Sequence, residues 1–222
     1  MNVYAVKIPE ELSDYEFANY LKGITNERKE ELVNNLDRTE SIRSLFGILL
    51  IQQVLYEKGI NINNISFCYN DYGKPFLYGQ NTVHFNISHS GEWVVCATDI
   101  LPIGIDIEKI KPIDLKIAKL FFSKEEYEFI KSMPNRTKLF TFYEYWTLKE
   151  SYVKAVGKGL SIPLDSFSIL NNKDMYFLKG EHKSKYYFYQ PKFNECYALA
   201  LCTQNSVRDF KITYFKYKNL IH

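Results

Sequence analysis

The stretch PIGIDIEK, residues 102–109, places two acidic side chains inside an apolar run. Ile103, Ile105 and Ile107 predict a buried β-strand. Because side chains at i and i+2 of a strand point to the same face, Asp106 and Glu108 are expected to lie side by side on the opposite face. Two carboxylates held this close repel each other. The pattern therefore predicts a cationic partner at this strand.

The rest of the chain follows an order that repeats loosely in its two halves. Hydrophobic periodicity predicts long helices at 41–60 and 143–160, the first ended by Gly59 and the second by Gly157 or Gly159. Shorter helices are expected at 10–22, 26–35, about 114–121 and from Ser123. Strands are expected at 2–7, 65–69, 83–87, 93–99, 102–109, 166–170, 175–179, 185–190 and 196–203. We therefore expect an α+β fold of two similar halves, residues 1–101 and 102–222. Each half would pack a long helix on a mainly antiparallel sheet, with a cleft between them.

Composition narrows the class of protein. A formal charge of +2 over 222 residues gives no support for extensive nucleic-acid or membrane binding. The four cysteines form no CxxC pair, which predicts structural thiols in a reducing compartment, and Cys96 and Cys202 lie in apolar strand-like runs that predict burial. No signal-type N-terminus and no run of about 20 apolar residues is present, so a cytoplasmic location is expected. Basic and aromatic residues interleave in KSKYYFYQPKF and ITYFKYKNL, which fits surface strands or single-stranded nucleic-acid binding.

A third carboxylate accompanies the strand acids. LKESYVKA in the second long helix places Glu150 and Lys154 four residues apart, on one face. With Asp106 and Glu108, Glu150 completes a set of oxygen ligands suited to Mg²⁺. Gly104 would leave room for a phosphate chain to approach. The alternatives are that Glu150 and Lys154 form a solvated pair, and that Glu108 pairs with Lys109 or Lys111.

Groups suited to phosphate lie in the first half. NISHSGEW predicts a tight turn carrying Ser88 and His89, where backbone N–H groups and an imidazole can converge on an anion. DYGKP supplies Tyr72, Gly73 and Lys74, and the guanidinium groups come from Arg28 and Arg43. Each of these residues has an alternative as a surface or turn residue. Together they indicate a site for a phosphorylated small molecule and a metal.

Written in order, these segments resemble the 4′-phosphopantetheinyl transferases, of the long monomeric type that activates surfactin-synthetase-like carrier proteins. The family pattern is G-[IV]-D followed some 40–45 residues later by W-x-x-K-E-[SA]-x-x-K. Here it reads Gly104-Ile105-Asp106 and WTLKESYVK over residues 146–154. YGKP, FNISHSG, FFSKEEY and GKGLSIPLDSFS also match, so the resemblance runs through most of residues 28–168.

The resemblance implies a pseudo-twofold fold and transfer of 4′-phosphopantetheine from coenzyme A to a serine of an apo acyl or peptidyl carrier protein, releasing 3′,5′-ADP. It assigns Asp106, Glu108 and Glu150 to Mg²⁺, and Asp106 also to the coenzyme A site. Glu150 is expected to accept the serine proton, with Glu126 as the second choice. Lys154 is expected to act in catalysis by stabilising the charge on the leaving phosphate, with Lys149 as a supporting candidate. The residues implied for coenzyme A are Arg28, Arg43, Ser44, Tyr72, Gly73, Lys74, Pro75, Ser88, His89, Lys149 and Lys154. The family's second lysine near the 3′-phosphate is replaced by Glu31.

The same resemblance implies a monomer whose partners are coenzyme A and carrier proteins, without nucleic acid or membrane. Carrier docking is expected on residues 110–122. Two other functions stay open: an Mg²⁺-dependent phosphohydrolase acting on a coenzyme A-like pyrophosphate, and a coenzyme A-binding module without turnover. The physiological carrier is not specified by the sequence.

Overall fold

The structure is a computed structural model. It describes residues 1–61, 66–79, 82–172, 175–179, 185–206 and 209–220. The predicted strand at 65–69 therefore begins outside the described residues, and its described part is Ser66–Tyr69.

The described chain contains six α-helices and eleven strands. The helices are α1 Asp14–Tyr20, α2 Asn26–Asn34, α3 Arg38–Glu57, α4 Ala118–Phe121, α5 Lys124–Ser132 and α6 Asn135–Val156. The first strands are β1 Asn2–Lys7, β2 Ser66–Tyr69, β3 Pro75–Tyr78, β4 His84–Ser90, β5 Trp93–Asp99 and β6 Ile103–Lys109. The later strands are β7 Ile169–Asn172, β8 Met175–Leu178, β9 Tyr187–Tyr189, β10 Tyr197–Thr203 and β11 Ile212–Lys216.

Both long helices are confirmed, with different starting points. Helix α6 begins directly after Pro134, eight residues before the predicted start. Phe142 is buried in this added segment and packs with Phe122 and Ile130, so tertiary contacts extend the helix beyond its clear periodicity. Gly157 ends the helix in the left-handed region, at φ 78°, as expected for a glycine after a helix.

The structure corrects one prediction of local structure and adds detail at two strands. Ser88 and His89 lie within strand β4, not in the turn that follows it, because β4 continues pairing with β5 up to Ser90 and Trp93. Strand β3 follows the predicted turn NDYGKP, was not among the predicted strands, and pairs with β2 as a hairpin. Strand β11 lies in ITYFKYKNL, for which a surface strand is one of the two interpretations of the sequence. It pairs in parallel with β1, so the C-terminal segment returns to the first sheet.

Two main sheets pack face to face. The first has the order β11-β1-β5-β4 and the second β6-β10-β9, and only the β1–β11 pair in them is parallel. The hairpins β2-β3 and β7-β8 complete the strands of the described residues. Helix α3 covers the outer face of the first sheet, and α6 covers the outer face of the second. This arrangement confirms an α+β fold of two halves, each with a long helix on a mainly antiparallel sheet.

The alternation in β6 sorts its side chains between two environments. Ile103, Ile105 and Ile107 are fully buried between the two sheets. Gly104 faces α6, where an added Cβ would lie 2.0 Å from the carbonyl oxygen of Ser151. Gly104 is therefore required for the close approach of α6, which corrects the expectation that it leaves room for substrate.

Side chains of β4 join the two sheets where their edge strands meet. The backbone N–H groups of Ile105, Ile107 and Lys109 donate to Asn86 Oδ1, Ser88 Oγ and Ser90 Oγ at 2.9, 3.4 and 3.0 Å. These contacts satisfy buried N–H groups of β6 that have no strand partner on this side. The polar residues of NISHS thus fix β6 relative to the first sheet.

No helix in the described part of the chain is long and apolar enough to cross a membrane. The four cysteines are free thiols, and Cys96 and Cys202 are buried as predicted.

Candidate active site

Three carboxylates and a lysine line one cavity between β4, β6 and α6. Asp106 and Glu108 project from β6, and Glu150 and Lys154 from successive turns of α6. The cavity has a volume of about 330 Å³, and its other lining residues are Ile87, Ser88, His89 and Trp146. The structure therefore brings the sequence-predicted acids together on two elements of the second half, and β4 of the first half supplies Ser88 and His89.

Hydrogen bonds fix the orientation of the strand acids. Lys154 Nζ donates to Asp106 Oδ1 at 2.6 Å and to Ser88 Oγ at 3.0 Å. Ser88 Oγ lies 2.9 Å from the same carboxylate oxygen, and Ser90 Oγ donates to Glu108 Oε2 at 2.8 Å. Among the residues that the structure describes, Glu108 forms no ion pair with Lys109 or Lys111. That alternative for Glu108 is not supported.

The charges of this cavity are only partly balanced. Burial raises the pKa of Glu108, and the neighbouring Asp106 carboxylate raises it further. Burial and Asp106 likewise raise the pKa of Glu150, while Lys154 acts in the opposite direction. One ammonium group thus serves three acids, so an additional cation would stabilise their ionised forms.

A divalent metal fits this donor set, although the side chains do not form a ready-made cage. Within the described ranges, no three His, Cys, Asp or Glu side chains are arranged as a metal-binding group. However, Asp106 Oδ2 is buried and has no hydrogen-bond partner, which is costly for a carboxylate oxygen. A hard cation that keeps part of its water shell suits one such oxygen and two nearby glutamates.

A second cavity, of about 270 Å³, extends from the same residues toward the β2-β3 hairpin. Tyr72, Gly73, Lys74 and Pro75 line it together with Glu150 and Lys154. Four of the predicted coenzyme A residues are therefore contiguous with the carboxylates.

Lys74, which lines this second cavity, has a structural role. Its ammonium group donates to the carbonyl oxygens of Ile103, Lys154 and Ala155 at 3.1, 2.5 and 3.2 Å. Burial lowers the pKa of Lys74 to about 8. Because the ammonium group is already bound by β6 and the end of α6, the structure corrects the expectation that it is available to a phosphate.

A third cavity, of about 290 Å³, contains residues predicted for an anion. Arg28, Ser44 and His89 line it, as does Glu31. It shares Ile87 and His89 with the carboxylate cavity, so the three cavities adjoin one another, and together they are called the groove. Burial lowers the pKa of His89, against the effect of Glu40.

Arg43 lies beside this cavity, and its guanidinium group contacts other protein groups. Its Nε donates to the carbonyl of Gly91 at 3.0 Å, and its Nη1 lies 3.4 Å from Glu40. Arg43 is not among the residues that line the groove, so its predicted contact with coenzyme A is not supported by the geometry.

Lys149 and Glu126 lie away from the groove. Lys149 Nζ is 2.7 Å from Glu126 Oε2, and both side chains are at most 1% exposed. The same ammonium group donates to Phe167 O at 2.7 Å, and Glu126 Oε1 accepts from Ile169 N at 2.7 Å. With their polar atoms engaged inside the protein, neither residue can reach a substrate, which corrects their expected catalytic and coenzyme A roles.

Sequence reasoning missed Asn86, Ser90 and Trp146 as parts of the site. Asn86 and Ser90 hold β6, Ser90 orients Glu108, and Trp146 lines the carboxylate cavity. In NISHS, the polar residues Asn86, Ser88 and Ser90 alternate along the strand and so lie on one face. This pattern could have identified Asn86 and Ser90 as parts of the site.

Comparison with known proteins gives the same assignment for both halves. Residues 102–202 match the model of the 4′-phosphopantetheinyl transferase superfamily, and residues 11–101 match the model "4′-phosphopantetheinyl transferase, N-terminal". The chain is 40% identical to 4′-phosphopantetheinyl transferase gsp of Aneurinibacillus migulanus, with 97% of this chain and 91% of that protein covered. It is 37% identical to 4′-phosphopantetheinyl transferase Sfp of Bacillus subtilis (strain 168), with both chains covered completely.

A human relative is more distant. L-aminoadipate-semialdehyde dehydrogenase-phosphopantetheinyl transferase of Homo sapiens is 31% identical, and the match covers 82% of this chain and 67% of that protein. Taken with the matches over nearly the full length, these similarities show that the chain belongs to the 4′-phosphopantetheinyl transferase family.

Proposed function

We propose that this transferase moves the 4′-phosphopantetheine group of coenzyme A to a serine of an apo acyl or peptidyl carrier protein, with Mg²⁺ bound in the groove. The observation that carries the proposal is the cavity that Asp106, Glu108, Glu150 and Lys154 share. It adjoins the cavity lined by Arg28, Ser44 and His89 and the cavity lined by Tyr72 and Gly73. Acidic ligands, a lysine and a phosphate-sized pocket in one groove suit a diphosphate substrate.

Each residue has a distinct task in this reaction. The serine oxygen of the carrier attacks the phosphorus that bears pantetheine, and the anhydride P–O bond to 3′,5′-ADP breaks. Lys154, which already lies in hydrogen-bond contact with Asp106 and Ser88, would stabilise the charge that grows on the leaving phosphate. Ser88, which forms hydrogen bonds with both side chains, would orient Lys154 and Asp106 relative to each other.

Glu150 is the preferred acceptor of the serine proton. Burial and Asp106 raise the pKa of Glu150 in the absence of a cation, whereas a bound Mg²⁺ would lower it, so the proton would reach Glu150 either directly or through a water molecule. Asp106, Glu108 and Glu150 would hold Mg²⁺. When bound, the ion would act as a Lewis acid and neutralise part of the negative charge of the diphosphate. The buried, unpartnered Asp106 Oδ2 supports this assignment.

Carrier docking is proposed on the segment 110–122 beside the groove. Leu120 is 70% exposed and Ile113 is 38% exposed. Phe121 contacts Trp146, a residue of the carboxylate cavity, with ring centroids 5.3 Å apart. An apolar surface next to the acids would present the carrier serine to the groove, and Leu120→Asp should raise the KM for carrier. Phe122 is buried and cannot contribute.

We also propose that the protein acts as a cytoplasmic monomer without nucleic-acid or membrane partners. Residues 1–101 would contribute the adenine and 3′-phosphate side of the groove, and residues 102–222 the metal and catalytic side. Support comes from the groove itself, whose described walls are all supplied by one chain.

One assay tests the transfer. The protein is mixed with coenzyme A, Mg²⁺ and apo carrier protein, and the intact mass of the carrier is recorded. The proposal predicts a gain of one phosphopantetheinyl group that depends on Mg²⁺. No gain with several acyl and peptidyl carriers would contradict it.

The same reaction mixture separates the two alternatives. A phosphohydrolase would release free phosphopantetheine when carrier is omitted, whereas a binding module would retain coenzyme A unchanged. Liquid chromatography of the small molecules distinguishes these outcomes from transfer.

A further inference from the structure

The anion pocket at the end of the groove is the starting point. Arg28, Ser44 and His89 converge there from α2, α3 and β4. A guanidinium group, a hydroxyl and an imidazole in one concave site suit a phosphate monoester. Coenzyme A contains one diphosphate and one such monoester, the 3′-phosphate. The resemblance to the family implies that Arg28, Ser44 and His89 lie near this 3′-phosphate, and the pocket has that role in the proposed function on which this inference rests.

One carboxylate lies in this pocket and another lies beside it. Glu31 lines it and forms an ion pair with Arg28 one turn earlier in α2. Glu40 lies 3.3 Å from His89 Nε2 and 3.4 Å from Arg43 Nη1. Each of these three basic side chains therefore has an acidic partner within the chain. An incoming phosphate must compete with Glu31 for Arg28 and approach a carboxylate of like charge.

We infer that Glu31 restrains recognition of the 3′-phosphate, so that this enzyme also uses 3′-dephospho-coenzyme A as a phosphopantetheine donor with nearly the same efficiency. In that reaction the serine oxygen forms the new O–P bond and the anhydride P–O bond breaks. The leaving group is 5′-AMP instead of 3′,5′-ADP, and the serine proton passes to the same acceptor. No further reactant is needed.

The experiment compares the two donors in the carrier-mass assay. For the natural sequence, kcat/KM with coenzyme A should exceed kcat/KM with 3′-dephospho-coenzyme A by less than about tenfold. Glu31→Gln removes the competing charge while keeping the side-chain size. It should lower the KM for coenzyme A roughly threefold to tenfold and leave the KM for the dephospho donor unchanged.

Glu30→Gln is the matched control. Glu30 is an exposed residue of the same helix, and the variant makes the same change of charge outside the residues that line the pocket. The ratio of the two KM values should stay at its original level in this variant. A general effect of net charge on donor binding would change both variants equally and would overturn the specific role of Glu31.

Binding measurements keep this inference separate from the proposed transfer. Isothermal calorimetry with 3′,5′-ADP and with 5′-AMP tests the pocket without any carrier. Tighter binding of 3′,5′-ADP alone in Glu31→Gln supports the inference even if no carrier is modified. A more than tenfold preference of the natural enzyme for coenzyme A, or an unchanged donor ratio in Glu31→Gln, would overturn it.

Discussion

Helix α6 carries two lysine–carboxylate pairs five residues apart, and the two pairs differ in nearly every physical respect. Lys154 pairs with Asp106 at the groove, and its side chain is 28% exposed. Lys149 pairs with Glu126 in the interior, where both side chains are at most 1% exposed. In the sequence motif WTLKESYVK the family resemblance favours Lys154 over Lys149 as the catalytic lysine, but the residue type alone does not separate them.

The difference teaches that polar satisfaction separates a structural ion pair from a functional one. Glu126 receives hydrogen bonds at both oxygens, from Ser123, Ile169 and Lys149. Asp106 keeps one buried oxygen without a partner and lies near two further acids. A completed network stabilises the fold, whereas an incomplete one can bind something from outside.

The largest effect is expected at the incomplete pair. Asp106→Asn should lower the rate of carrier modification by about a hundredfold or more, because it removes a proposed metal ligand and the charge paired with Lys154. The melting temperature should stay the same or rise, since repulsion with Glu108 and Glu150 is relieved. Glu125→Gln, an exposed change on α5, is the control. More than a tenth of the original rate in Asp106→Asn would contradict the assignment.

The interior pair should show the reverse pattern. Lys149→Met leaves the Glu126 carboxylate buried without its cation, so the free energy of unfolding in urea should fall by about 3–5 kcal/mol. Lys149→Met/Glu126→Leu should recover only part of that loss, because leucine leaves the N–H groups of Ser123 and Ile169 without their acceptor. The transfer rate of each variant, corrected for the fraction of protein that is folded, should stay within a few-fold of the original rate. Lost transfer without lost stability would return Lys149 to the coenzyme A site.

Lys154→Met sharpens the contrast within the same helix. Its partly exposed ammonium group should contribute less than about 1 kcal/mol to stability. Transfer should nevertheless fall by roughly tenfold to a hundredfold, because charge on the leaving phosphate loses a partner. Rates and urea midpoints can be compared with those of Lys158→Met, an exposed lysine beyond the helix. A stability loss as large as that of Lys149→Met would show that the two pairs are equivalent.

Lys74 is a third lysine between these extremes, and its expected effect is confined to stability at high pH. Burial lowers its pKa to about 8, so above that pH the folded state releases a proton that the unfolded chain keeps until about 10.5. The unfolded state then binds more protons, and this group's contribution to stability should rise with pH between 8 and 10.5, by up to about 1 kcal/mol per pH unit. In Lys74→Met that component of the slope should disappear. Identical slopes would show that the three carbonyl groups keep the ammonium group charged.

Much of the architecture could be predicted from local patterns. The isoleucines of β6 indicated one buried face and its acids the other, because strand periodicity assigns faces without knowledge of the partner. In the structure, the isoleucines of β6 point into the core between the two sheets, as this alternation predicts. The alternation in ITYFKYKNL fits the strand β11, but its parallel pairing with β1 could not be predicted, because the pair joins residues far apart in the chain and no local pattern indicates such a partner.

The candidate site was predictable as a set of residue types and less so as a geometry. Asp106, Glu108, Glu150 and Lys154 were chosen for their chemistry and do share a cavity. Lys74 was also chosen for its charge, yet its ammonium group binds three carbonyl groups. A lysine in a sequence shows that a charge is present, whereas its acceptor depends on which carbonyl groups the fold brings near.

By itself, the sequence determined the faces of the strands and helices, the carboxylates available for a cation, and membership in a transferase family through motifs in order. Only the tertiary structure decided which groups are free to act. It placed α6 against Gly104, enclosed Lys149 with Glu126, and left Asp106 Oδ2 without a partner beside Glu150. The physical reason is that burial and hydrogen-bond satisfaction arise from contacts between distant segments, and these contacts separate structural charges from functional ones.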